Sequence, residues 1–323
     1  MDETKRVKWI DYAKGIGIML MVMGHYQYLN YEVNKWIFSF HMPLFFFISG
    51  LLTSDRNIEY KNYIIKRFRL LLIPFFIFGI ITYILSFFVG KGYPINEFII
   101  NILNNRGAGM WFLHTLFLVN ILYLFIYSSS KKWKIMIYTV LIILAYFSSI
   151  HNVHLPLRSE VLPICLSFFL LGDILKPYIF SLQRLNSNFI FISFILFIIL
   201  NILLVEISGR MDIAENRVGG SLFVLTAIFG IISILSLSLI IDRINLIQYI
   251  KSTLIFCSVN AIVILIFHPY IFSFVDKLFN HMGQNPNSII GHISVIILQF
   301  LILYPLIIII NRYFPFLLGK WYK

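Results

Sequence analysis

Apolar runs of bilayer-spanning length recur from one end of this 323-residue chain to the other. A hydrocarbon core about 30 Å thick takes ~20 apolar residues of helix to cross. Inside it no water satisfies a backbone N–H or C=O, so such runs fold as helices that bond their own backbone. Ten spans are expected, near residues 9–29, 36–53, 69–89, 111–128, 134–150, 160–176, 189–206, 221–241, 254–274 and 289–311. Composition agrees: 59% of residues are hydrophobic and 12% charged, about half the charge of a soluble domain. The expected fold is all-α, a polytopic membrane protein with about ten transmembrane helices in a single domain over residues 1–323. No polar stretch is long enough to fold as a separate soluble domain.

The net charge is +12. In a soluble chain that points to nucleic acid, but here the basic residues cluster in short loops and no nucleic-acid partner is expected. Eighteen of the 26 Lys and Arg residues fall on one side of the ten-span arrangement, seven on the other and Lys14 within a span. By the positive-inside rule both termini are cytoplasmic. The first span carries no small-residue cleavage site and is expected to stay as a helix. Cys165 and Cys257 lie in apolar runs without zinc or redox spacing and are expected as inert buried thiols. His151 and His154 sit in a polar outer loop with no third ligand in view, so no metal site is expected.

The stretch Trp9–Leu52 departs from this apolar background. Asp11, Lys14 and His25 lie on the first span and His41 on the second. An ionisable group at membrane depth costs roughly 2.5–3.5 kcal/mol by insertion scales and marks a functional site by default. Lys14 and His25 are eleven residues apart, close to three helical turns, so they share a face at a separation of about 16 Å. Asp11 is one turn from Lys14 and in reach to pair with it. If the first span is centred near Leu20, His25 lies towards the outside, and His41, His114 and His268 fall in the same outer half. Glu160 opens the sixth span on that side. Bland alternatives stand beside each: histidines can bond a neighbouring helix, Lys14 can snorkel with Asp11 neutralising it, and Arg67, Arg69 and Trp111 can be interfacial anchors.

Taken together, Asp11-Tyr12-Ala13-Lys14-Gly15, then Gly24-His25, then Phe40-His41-Met42-Pro43-Leu44-Phe45 through Ser49-Gly50, resemble the membrane acyltransferase-3 family. The branch it looks most like is the fucose 4-O-acetylase-related acetyltransferases. Looser matches are Arg67-Phe68-Arg69, Trp111-Phe112-Leu113, and Ser258-Val259-Asn260 leading to His268. The family signature is a basic residue, ten positions, then a histidine; Lys14 and His25 fit it, with Lys where Arg is commoner. The resemblance implies acyl transfer, usually of acetyl from acetyl-CoA, onto a hydroxyl of a cell-envelope sugar or exported polysaccharide.

On that reading neutral imidazole suits removal of a hydroxyl proton near pH 7, and His25 is the candidate base. His41 orients it or stabilises the oxyanion. Lys14, Arg67 and Arg69 are expected to meet the phosphates of cytoplasmic acyl-CoA. Asp11, Trp111, His114, Glu160 and His268 are expected along the substrate path. Acyl-CoA is a donor substrate, with no permanently bound cofactor expected, and the location is a bacterial plasma membrane among its lipids. The rival class is a transporter or flippase for an envelope glycan or small polar solute, since intramembrane charges also mark transport pathways. A sensing module without catalysis is a third reading.

Overall fold

Each long apolar run closes its own backbone hydrogen bonds as a helix, and the chain is 83% helical with no strand among the described residues. The computed structural model describes residues 6–53, 59–88, 90, 92–104, 110–245, 247–282 and 289–320. Lys5, Arg56, Lys91, Arg106 and Lys323, which enter the charge count, lie outside the described residues. The helices are α1 Lys8–Gly24, α2 Tyr31–Phe38, α3 His41–Leu51, α4 Tyr60–Arg67, α5 Ile73–Phe88, α6 Ile95–Leu103 and α7 Trp111–Leu124. They continue with α8 Lys131–Ile150, α9 Leu162–Ser181, α10 Ser187–Ser208, α11 Phe223–Arg243, α12 Gln248–Val259, α13 Ala261–His281 and α14 Ile289–Tyr313.

Among the described residues seven helical segments are long and apolar enough to cross a membrane, making this a multi-pass membrane protein. They are Tyr60–Phe88, Lys131–Ile150, Pro156–Arg184, Ser187–Ser208, Phe223–Arg243, Ala261–Phe279 and Gly291–Tyr313. Three of the ten expected spans take shorter forms. The first stops at Gly24, after 17 residues, where His25 caps α1. The second is broken at Ser39 and Phe40 into α2 and α3. The fourth is the 14-residue α7. The expected 254–274 span is divided at Asn260, whose side-chain amide donates back to the Phe256 carbonyl at 2.8 Å and closes α12.

By packing the chain divides into two compact units, Met1–Thr53 with Ser167–Ala261, and Ser54–Leu166 with Ile262–Lys323. In the first, α1 packs on α3, α11 and α12, while α10 lies along α11. Helices α3 and α9 touch backbone to backbone. A Cβ on Gly50 would fall 1.9 Å from the Phe169 carbonyl oxygen, and one on Gly172 would fall 2.0 Å from that of Phe47. Small residues permit such approach where lipid gives no hydrophobic drive between helices. Polar side chains tie helices together inside the unit: Asn201 donates to the Thr226 carbonyl at 2.7 Å and to Ser39 Oγ at 3.3 Å. Lys35 binds Glu32 at 2.5 Å and Glu206 at 2.9 Å, tying α2 to α10.

In the second unit a single π-helical turn, Phe68–Leu72, joins α4 to α5. Extra-residue turns of this kind re-aim side chains and recur at functional sites. Tyr63 on α4 donates to Asn120 on α7 at 2.5 Å. Glycine has no Cβ at position 319, which lets the chain pass against the Arg69 carbonyl in a left-handed turn, φ +66°.

Candidate active site

The first unit holds four of the expected site residues, in two clusters at opposite ends of α1. At the N-terminal end, buried Asp11 is the hub. One oxygen takes Lys14 Nζ at 2.7 Å and the Ser258 hydroxyl at 3.1 Å; the other takes Arg6. Two cations on one carboxylate leave the cluster with a net positive charge, and Lys14 keeps a partly exposed ammonium. Asp11 is thus the holder of Lys14 and the tie between α1 and α12.

At the other end lie the two imidazoles. His25 caps α1 and its Nδ1 bonds the Met21 carbonyl at 2.8 Å. His41 opens α3, and its Nδ1 bonds the Ile37 carbonyl at 3.0 Å across the break between α2 and α3. The last carbonyls of a helix lack intrahelical partners; here His41 takes that of Ile37 and Ser39 Oγ takes that of Trp36 at 2.7 Å. A carbonyl only accepts, so each Nδ1 carries the proton and each Nε2 is the lone-pair nitrogen. The rings are 6.2 Å apart at 85°, and the Phe38 ring contacts both, 5.5 Å from His25 and 4.8 Å from His41. His41 is 2% exposed, whereas His25 is exposed. Of the two, His25 is the residue with exposed surface, and His41 is the buried one.

Two residues absent from the sequence expectations join this end. The connection from α10 to α11 begins at Gly209 and sends Arg210 over Phe38, its guanidinium carbon 4.9 Å from the ring centre. Arg210 Nη2 lies 3.4 Å from Asp212 Oδ2. Burial lifts the Asp212 carboxyl above the usual range, while Arg210 and, more weakly, His25 draw it down. Asp212 thus lies within electrostatic reach of the His25 ring.

The other expected residues belong to the second unit. Arg67 lies over the Tyr63 ring at 4.9 Å, and its buried Nε has no hydrogen-bond partner among the described residues. Arg69 is exposed and borders an open groove of about 520 Å³ that is otherwise lined by Ile64, Ile65, Phe68 and Ile73. Trp111 starts α7 and is buried. His114 lies against Phe75, ring centres 5.5 Å apart. Glu160 is buried; its Oε2 accepts the Leu155 amide at 3.0 Å and its Oε1 lies 4.0 Å from His154, so it holds the loop before α9. Buried His268 precedes Pro269, which has no N–H for the Leu265 carbonyl. His268 Nδ1 takes that carbonyl at 2.9 Å and so repairs the helix at the proline.

An all-helical membrane protein that sets an exposed, Nε2-basic imidazole about three turns from a carboxylate-held lysine has the parts for proton-transfer chemistry on a membrane substrate. The comparison with known families agrees with that class. The family model described as an acyltransferase domain matches residues 7–318, and the chain belongs to the acyltransferase-3 family. Neither the curated proteins nor the solved structures give a match. The protein is accordingly a membrane acyltransferase.

Proposed function

We propose that this protein is an O-acetyltransferase that carries acetyl from cytoplasmic acetyl-CoA to a hydroxyl of a cell-envelope or exported polysaccharide sugar. The single observation that carries the reading is the state of His25: an exposed residue whose Nδ1 is tied to the Met21 carbonyl, which makes Nε2 the basic nitrogen of the neutral ring. The acceptor hydroxyl gives its proton to Nε2 as its oxygen bonds the thioester carbonyl carbon, and the carbonyl electron pair moves onto oxygen. The tetrahedral adduct collapses, the C–S bond breaks, and the imidazolium returns the proton to the leaving thiolate. Ester and free CoA thiol result, with no other reactant consumed. General-base help of this kind is worth roughly 10²–10⁴-fold.

Donor binding falls to the net positive Arg6–Asp11–Lys14 cluster, whose cations suit the phosphates of the donor. The ~16 Å from Lys14 to His25 is about the length of an extended pantetheine arm, which supports a nucleotide held at one end of α1 and a thioester delivered to the other. The acetyl group and the fucose 4-O-acetylase-related branch rest on the resemblance of the first 50 residues. Family membership puts acyl transfer ahead of the transporter or flippase. The test is envelope-glycan NMR from cells with and without the gene: the reading expects an O-acetyl signal to vanish on deletion. An unchanged glycan spectrum, with purified protein inert towards acetyl-CoA, would overturn it.

A further inference from the structure

The connection between α10 and α11 is built to hold a shape. Asp212 and Arg217 form a two-bond bridge, Asp212 N–H to the Arg217 carbonyl at 2.7 Å and the reverse at 2.9 Å. Between them a tight turn ends at Asn216 in the left-handed region, φ 51°. Met211, Ile213 and Val218 are fully buried beneath it, at 0–2% exposure. The base of the loop is closed by the Gly220 amide on the Ser208 carbonyl at 2.6 Å and by Ser208 with Thr226 at 2.8 Å. A loop anchored this way places its alternate side chains, Arg210 and Asp212, on the side away from that apolar plug.

Those two residues stand beside the exposed base. Arg210 stacks on Phe38, the ring that also touches His25 and His41. Its ion pair with Asp212 is long, at 3.4 Å, and its buried Nε has no hydrogen-bond partner among the described residues. Guanidinium donors stacked on an aromatic ring, with a carboxylate acceptor 3.4 Å away, suit a ligand that offers both hydroxyl hydrogens and oxygen lone pairs. A sugar ring does so on adjacent carbons. A salt bridge serving only to staple the loop has less reason to leave a buried donor unused, since an unmade buried hydrogen bond costs stability.

We propose that Arg210 and Asp212 form the hydroxyl-binding subsite for the sugar acceptor, holding one part of the ring while a neighbouring hydroxyl meets His25 Nε2. The inference rests on the acetyl-transfer reading and adds to it the place where the acceptor is recognised. Acceptor choice then resides in the α10–α11 connection, and the donor is handled elsewhere.

The experiment uses full-length protein in detergent and two probes. One is acetyl-CoA alone, with thiol release to water as the readout. The other is labelled acetyl-CoA with polysaccharide from the source cells, de-esterified by mild alkali. Arg210→Gln and Asp212→Asn are each expected to raise the half-saturating polysaccharide concentration by about 10–100-fold, the worth of a hydrogen bond to a charged group. The loss in thiol release to water should be clearly smaller than the loss with polysaccharide, because water needs no ring-binding subsite. Arg210→Lys keeps the charge and loses the planar fork, so it should fall between. The double variant should cost less than the product of the singles, because the two side chains grip one ligand. Equal losses in both reactions would overturn the subsite and assign Arg210 to the acyl carbonyl or to His25. No loss in either reaction would make the pair a surface ion pair and also overturn it. His25→Ala is the control on the underlying reading: if wild type and His25→Ala are alike in both assays, acyl transfer through His25 fails, and the subsite fails with it. If His25→Ala is dead and Arg210→Gln is normal, the subsite alone fails.

Discussion

Replacing Gly50 by alanine puts one methyl group between α3 and α9. That Cβ would stand 1.9 Å from the Phe169 carbonyl oxygen and 2.7 Å from its carbon. Ordinary contact begins near 3.4 Å, so the helices must part by about 1.5 Å or α3 must shift. The obstacle is backbone, which no rotamer change relieves. Overpacking costs about 1–3 kcal/mol, and a backbone clash belongs at the upper end of that range. Gly172→Ala meets the Phe47 carbonyl at 2.0 Å on the same contact, so it should cost a similar amount. The double variant should cost clearly less than the sum, because a gap opened for one methyl admits the other. His41 opens α3 and leans on Phe38, so the surviving protein should also lose turnover. Detergent-purified protein heated in steps and followed by size exclusion reads the first effect; thiol release from acetyl-CoA reads the second. A Gly50→Ala protein with the wild-type melting midpoint would refute the backbone contact between α3 and α9.

Three further outcomes follow from the same geometry. Asp11→Asn keeps the acceptor for Ser258 but strips the charge that holds Arg6 and Lys14; it should raise the KM for acetyl-CoA several-fold, and an unchanged KM would separate Lys14 from donor binding. Cys165 and Cys257 are both buried and free, so the double change to alanine should keep most of the activity; its complete loss in folded protein would point to a thiol nucleophile. Reporter fusions after Lys132 should read cytoplasmic and near Arg210 external, on the eighteen-to-seven basic asymmetry; the reverse pattern would undo the orientation and the depth argument with it.

The helical class and the membrane habit were legible because they follow from run length and composition. The helix breaks were less so. Nothing in an apolar run announces that the second span will part at Ser39 and Phe40, since the break is held by His41, Ser39 and, through Ser39, Asn201 on a distant helix. Lys14 and Asp11 were found because their partnership is local, one turn apart. Glu160 and His268 drew notice as titratable groups at depth, yet their visible bonds go to the Leu155 amide and the Leu265 carbonyl, which gives each a structural task. Arg210 and Asp212 escaped notice as ordinary polar loop residues. Their one signal was alternation with Met211 and Ile213, a pattern of a loop pinned on one side, and their neighbour Phe38 is far away in sequence.

The central claim is that the exposed imidazole of His25 removes the acceptor proton, and His25→Ala measures it most directly. Purified variant and wild type, matched by size exclusion, should bind CoA alike, because the imidazole lies about 16 Å from Lys14 along α1. Turnover of acetyl-CoA should nonetheless drop by roughly 10²–10⁴-fold. Wild-type turnover in a well-folded His25→Ala protein would contradict the account.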